Sequence, residues 1–186
     1  MERGGEVTHI KDYPTALKNP WDFKNRLQIT EEDKRINPIQ SQVYDEGNKH
    51  FFVNDTEHPY IQNTPFNWIR GYQLGGRSLT WGRQTYRLSN LDFEANLKDG
   101  YGVDWPIRYE DLEYWYSYVE KFVGISGNAD GIPHLPDGEF LPPMEMNALE
   151  QHFAAKVKSH YTNRNVINAR VANLTRGYQS RGPCQY

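Results

Sequence analysis

Between Trp68 and Arg87 the chain carries four glycines and four arginines in twenty positions, along with two tryptophans and two tyrosines. Neither a packed helix nor a regular strand accepts that mixture, because glycine in an element interior gives up conformational freedom and offers nothing to pack. The segment therefore reads as a binding loop around which the remaining elements are arranged. Gly75 and Gly76 permit positive φ and let the backbone approach another group with no Cβ in between. Neighbouring backbone N–H groups and Arg77 suit an anion such as a phosphate or pyrophosphate. On these residues alone, a glycine-rich turn between two strands with solvated arginines is an equally open reading. Trp81-Gly82 adds a flat ring beside a bare backbone, a pairing suited to a planar aromatic cofactor.

A length of 186 residues suits one domain. Net charge is -3 with both signs interspersed, so no basic stripe is present to drive counterion release and no nucleic-acid partner is expected. Cys184 is the only cysteine, which excludes a disulfide framework or a thiolate metal site within the chain. His152 and His160 share a predicted helix at a spacing too wide for the HExxH pattern, so no metal site is expected. No run approaches the ~18 apolar residues of a membrane helix, and Met1 to Glu6 lacks the apolar centre of a secretory signal. The compartment stays open between cytoplasm and periplasm.

In chain order, Glu2-Arg3-Gly4-Gly5 places an acid just before glycine, as happens after the second strand of a dinucleotide fold, where the carboxylate accepts from the adenosine ribose. The accompanying G-x-G-x-x-G is expected about 20 residues earlier, upstream of Met1. Ile10 to Asn67 is rich in Pro, Asn and aromatics and reads as a long irregular connection. Within it Thr30 to Asp33 starts a short helix ending by Asn37-Pro38, and Gln42–Tyr44 with His50–Asn54 forms a strand pair across Asp45–Asn48. Asn90 to Gly102 is a polar connection. A helix follows Pro106, its first turn filled by Glu110, Asp111 and Glu113. Leu112, Trp115, Tyr116, Val119, Phe122 and Val123 form its packed face, and Gly124 stops it. Asn147 and Glu150 form a capping box for a helix that packs Leu149, Phe153, Ala154 and Val157. Val166 to Leu174 alternates as a strand.

The run Gly75-Gly76-Arg77-Ser78-Leu79-Thr80-Trp81-Gly82 resembles the glycine-rich segment of the glucose-methanol-choline (GMC) oxidoreductases. In that family a GG-[ST]-[ST]-type turn, followed by Asn or by His-Trp, lies along the FAD pyrophosphate and reaches the flavin. A second resemblance covers Trp105-Pro106-Ile107-Arg108-Tyr109-Glu110-Asp111-Leu112-Glu113 and the following Gly124-Ile125-Ser126-Gly127. The resemblance implies an α+β chain: a fragment of an α/β FAD-binding Rossmann-like domain, with an irregular cover segment and the start of the substrate domain. On that reading residues 1–186 are an internal piece lacking the first βαβ unit and the C-terminal catalytic part, whose histidine removes the hydroxyl proton.

The implied cofactor is FAD, held non-covalently by Glu2, Arg3, Gly75, Gly76, Arg77, Ser78, Thr80, Trp81 and Gly82, with no catalytic residue in this chain. The implied activity is oxidation of a CH–OH group of a small-molecule alcohol or sugar, the electron acceptor being unspecified. Two departures from the family pattern matter. Arg77 replaces a small hydroxyl residue, and Thr80 stands where pyranose oxidases carry a flavin-linked histidine, so a histidyl flavin is not expected. Trp81, where many members have Asn, suits stacking. A self-standing, aromatic-rich carbohydrate-binding module is the alternative from a different class.

Overall fold

The structure is a computed structural model that describes residues 3–184. It divides into two compact units, Met1–Trp81 and Gly82–Tyr186.

The first unit is held by turns and buried polar side chains more than by regular elements. The α-helix among its described residues, α1 (Glu31–Ile36), has the expected start: Asp33 N donates to Thr30 Oγ1 at 3.1 Å, and Thr30 N donates to Asp33 Oδ2 at 2.9 Å. This reciprocal box satisfies two of the donors that a helix start leaves unpaired. The expected strand pair does not form. Gln40–Gln42 and Lys49–Phe51 are 3₁₀ turns instead. Between them Asp45 Oδ1 accepts from Gly47 N (2.8 Å) and Asn48 N (3.2 Å), while Asn48 Oδ1 accepts from Asp45 N (2.9 Å). These local side-chain bonds compete with the ladder that a hairpin would need.

Pairing is supplied by more distant groups. Val53 N donates to Arg70 O at 3.0 Å, and the fully buried Gln40 closes the other side. Its Nε2 donates to Val53 O at 2.6 Å, and its Oε1 accepts from Arg70 N at 3.2 Å. One glutamine side chain thus does the work of a third strand between Phe51-Val53, the unit's buried apolar pair, and the segment leading to the glycines.

Among its described residues the second unit holds four α-helices: α2 (Asn90–Phe93), α3 (Ala95–Asp99), α4 (Tyr109–Val123) and α5 (Ala148–His160). The first two lie where a polar connection was expected. Ser89 and Asp92 form a capping box there, with Ser89 N donating to Asp92 Oδ2 at 2.7 Å, and Phe93 is buried. Helix α4 starts on Asn90 Oδ1, which accepts from Tyr109 N at 2.8 Å, and stops at Gly124, whose φ of 85° closes the left-handed cap. Helix α5 has the expected Asn147–Glu150 box.

The faces of both helices differ from the sequence expectation. On α4 only Glu120 is buried, with Leu112, Tyr116, Ser117 and Val123 half-buried beside it, whereas Trp115, Val119 and Phe122 are exposed. On α5 Leu149 and Phe153 are exposed and only Ala154 and Val157 are half-buried. The physical cause on α4 is Glu120. Its carboxylate is buried against Arg87, and Val119, Trp115 and Phe122 lie roughly 100–160° around the helix from it, on the far side of the inward-facing stripe.

Isolated β-bridges replace the expected strand over Val166–Leu174. Val171 pairs antiparallel with both Gln84 and Ser126, and Ser126 pairs parallel with Leu141. Ser126 N donates to Val171 O at 2.9 Å and Val171 N to Ser126 O at 3.0 Å, with Thr85 N to Arg170 O (2.9 Å) and Ala172 N to Arg83 O (2.8 Å) on the other edge. Regular pairing ends early on one side, where Leu174 N turns to Cys184 Sγ at 3.3 Å. Ile125, Leu141, Leu174 and Phe93 form the unit's apolar centre.

Candidate functional site

The glycine segment lies at the end of the first unit and takes the conformation that its residues imply. Gly75 has φ of 94° and Gly76 of 53°, and Gly76–Leu79 then forms one 3₁₀ turn. Gly76 N donates to Gln73 O (3.0 Å), Ser78 N to Gly75 O (3.2 Å) and Thr80 N to Arg77 O (3.0 Å). Ser78 Oγ also donates to Gly75 O at 2.6 Å. Among the described residues, the N–H groups of Gly75 and Arg77 donate to no backbone carbonyl, and the exposed Arg77 guanidinium is in no ion pair. Two backbone donors and an exposed cation thus share one short turn.

The space around the two glycines differs. A Cβ on Gly75 would sit in ordinary contact with Ser78 Oγ at 3.4 Å, and one on Gly76 would meet nothing within 4 Å. Gly76 thus has open space where a side chain would stand. Thr80 is half-buried, and Trp81 is 39% exposed. Gly82 opens the second unit and is likewise open above its Cα.

The N-terminal segment is brought to this turn. Gly5 forms a parallel bridge with Gln73, and Leu74 N donates to Gly5 O at 2.8 Å. Arg3 lies against Tyr72, its guanidinium 4.1 Å from the ring centroid and its Nη1 donating to Tyr72 Oη at 3.2 Å. The close approach depends on Gly4, where a Cβ would run into the Tyr72 carbonyl. Glu2 lies outside the described residues. Of the predicted site residues, Arg3, Gly75, Gly76, Arg77, Ser78, Thr80 and Trp81 thus belong to one unit.

Next to the turn is a cavity of about 250 Å³ lined by His50, Phe51, Asn54, His58, Tyr72 and Gln73, among others. Before it, Arg70 is buried and held by Asp55 (3.1 Å) and the His58 carbonyl. Its guanidinium lies over the rings of Trp68 (4.6 Å) and Tyr60 (5.1 Å). From the sequence the arginines of this stretch read as anion binders or solvated charges. Arg70 and Arg87 are neither: both are structural cations buried in their own units. Arg87 donates through Nε and Nη2 to Glu120 at 2.9 and 2.7 Å, through Nη1 to Tyr109 Oη at 2.8 Å, and through Nη2 to Ser117 Oγ at 2.9 Å. The hydrogen bonds to Glu120 hold its pKa above the ordinary arginine value, against the opposing pull of burial.

Also missed were Gln40 and Gln73, polar residues at positions where no periodicity marks a role. Among the described residues no group of three or more His, Cys, Asp or Glu side chains is placed to hold a metal ion. No helix there is long and apolar enough to cross a membrane.

No family model matches the chain. It is 30% identical over 101 residues, 52% of its length, to the 2-methyl-1,2-propanediol dehydrogenase of Mycolicibacterium austroafricanum. The match spans 16% of that protein. The chain is thus distantly similar to an oxidoreductase.

Proposed function

We propose that this chain is part of a GMC-type, FAD-dependent oxidoreductase that oxidises a CH–OH group of a small alcohol or sugar. The similarity to a dehydrogenase named for a diol supports the reaction class and a small-molecule alcohol as substrate. The observation that carries the cofactor reading is the pairing of the Arg3–Gly5 segment with Gln73, immediately before a turn that is left-handed at two glycines and open at Gly76. A dinucleotide site needs those parts together, a ribose-binding end of one strand beside a phosphate-binding turn.

The residues present fit the group. The space a Cβ would fill at Gly76 leaves room for a phosphate to reach the backbone, where the N–H groups of Gly75 and Arg77 donate and the Arg77 guanidinium supplies charge. Trp81 offers an exposed ring for stacking; Glu2, outside the described residues, would accept from the ribose hydroxyls on this reading. When bound, FAD supplies the hydride acceptor, a task no side chain performs. The chain's own part is to bind and orient. The Thr80 hydroxyl is a poor nucleophile near neutral pH without an activating base, so on this reading the flavin is held without a covalent bond.

The carbohydrate-module alternative draws on exposed rings such as Trp21, Tyr101, Tyr114, Trp115 and Phe122, but these do not account for the pairing of Gly5 with Gln73 beside the glycine turn. The cofactor reading is tested in the full-length reading frame by flavin content after dialysis. Gly76→Val places a branched side chain into the open space and is expected to abolish retention; Glu2→Ala is expected to weaken it by the ~1–3 kcal/mol of a lost bond to a charged group. Equal retention in both variants would remove Gly75-Gly76 from the site.

A further inference from the structure

The geometry points to Gln73 as a positioning residue that locks the glycine turn in its anion-accepting form, an inference that rests on the cofactor reading of that turn. Three groups of contacts converge on this one residue, two through its backbone and one through its side chain. Its backbone joins the N-terminal segment through the Gly5 bridge and the Leu74 N to Gly5 O bond. Its side-chain Nε2 folds forward and donates to Gly76 O at 3.1 Å. Its backbone carbonyl accepts from Gly76 N at 3.0 Å, so Gly76 is gripped on both its peptide groups by one residue.

The neighbouring glycines make this fold-back possible. A Cβ at Gly71 would collide with Gln73 Oε1, and one at Gly4 would collide with the Tyr72–Gln73 backbone. The side chain is buried, at 6% exposure, and its Oε1 has no hydrogen-bond partner. A buried amide with one end unsatisfied is less favourable than an apolar residue of the same shape, so packing alone does not account for a glutamine here. The N–H donated to Gly76 does. By fixing the Gly76 carbonyl, Gln73 also sets the N–H of Arg77, which lies on the opposite side of the same trans peptide and is thereby presented away from Gln73.

Hydrogen exchange of the ligand-free chain tests this at the Gly76, Ser78 and Thr80 amides, with rates corrected for intrinsic pH dependence. Two variants are compared with the unaltered chain at about pH 4.5 and about pH 8. Gln73→Met keeps the shape and removes the donor; protection should fall about five- to tenfold at both pH values. Gln73→Glu lacks a donor when ionised and regains an O–H when protonated, so protection should be low at the higher pH and recover at the lower. His50, Glu57, His58 and Tyr72 line the same cavity, and any pH effect shared with the Met variant belongs to them. Unaltered protection in Gln73→Met, or no acid recovery in Gln73→Glu, overturns the assignment. So does a parallel loss at the Val53 amide, which would make Gln73 a general packing residue. Because no cofactor is present, these outcomes are independent of flavin retention in the full-length protein, which alone decides the cofactor reading.

Discussion

Replacing Glu120 by Leu should be among the most damaging single changes in the second unit. The Arg87 and Glu120 side chains are only 3% and 9% exposed. Removing the carboxylate deletes the two charge-assisted bonds at 2.9 and 2.7 Å and the acceptor for Glu139 N at 3.2 Å. Tyr109 and Ser117 still accept from the guanidinium, but neither neutralises it. An uncompensated buried charge costs about 3–5 kcal/mol, against a total stability of about 5–15 kcal/mol for a chain of this kind.

Urea-dependent hydrogen exchange read at the Ser126 and Val171 amides isolates the second unit from the first. For a urea slope of about 2 kcal/mol/M the expected loss moves its midpoint down by about 1.5–2.5 M. The double replacement Arg87→Met, Glu120→Leu removes both charges and should recover most of that loss, because the desolvation cost goes with them. A single variant costing under about 1 kcal/mol, or a double variant as damaged as the single, would refute the claim that an ion pair holds α4 in place.

Helix α1 should lend the first unit a pH-dependent contribution. The Thr30 hydroxyl, then the Thr30 N–H, and more weakly Lys49 hold the Asp33 pKa down at about 2. A depressed folded pKa gives stability that is complete above the unfolded value of about 4 and is lost as pH falls towards about 2. Asp33→Asn should flatten that acid limb in urea melts, and an unchanged limb would contradict the box. On α4, Phe122→Ser should shift stability by no more than about 0.5 kcal/mol, whereas Ile125→Ala, at 2% exposure, should cost about 2–4 kcal/mol. Equal costs would restore the face that the sequence pattern suggests.

Local signals in the sequence carried well where the chemistry is itself local. Thr30 with Asp33, Asn147 with Glu150, and Gly124 announce helix ends through groups three or fewer residues apart, and the Gly75-Gly76 pair announces its left-handed backbone. The Ser89–Asp92 box obeys the same rule, but its short helix sits within polar residues that mask it. Hydrophobic patterning failed on α4 and α5 because this chain buries more polar than apolar side chains, Gln40, Glu120 and Arg170 among them. Their partners lie far off in sequence: Gln40 bonds Arg70, and Glu120 bonds Arg87. No periodicity encodes such pairs. The candidate site was legible as a glycine turn with an N-terminal companion, while the residue joining them, Gln73, carried no signal of its own.

The central claim is a non-covalently held flavin on the Gly75–Gly82 segment. Its most direct test is the absorbance of the purified full-length protein before and after acid precipitation. The account predicts a yellow protein with flavin near one equivalent, released entirely into the supernatant. A colourless full-length protein would contradict the cofactor, and colour retained in the pellet would contradict the non-covalent linkage and the placement of Thr80 beside the ring.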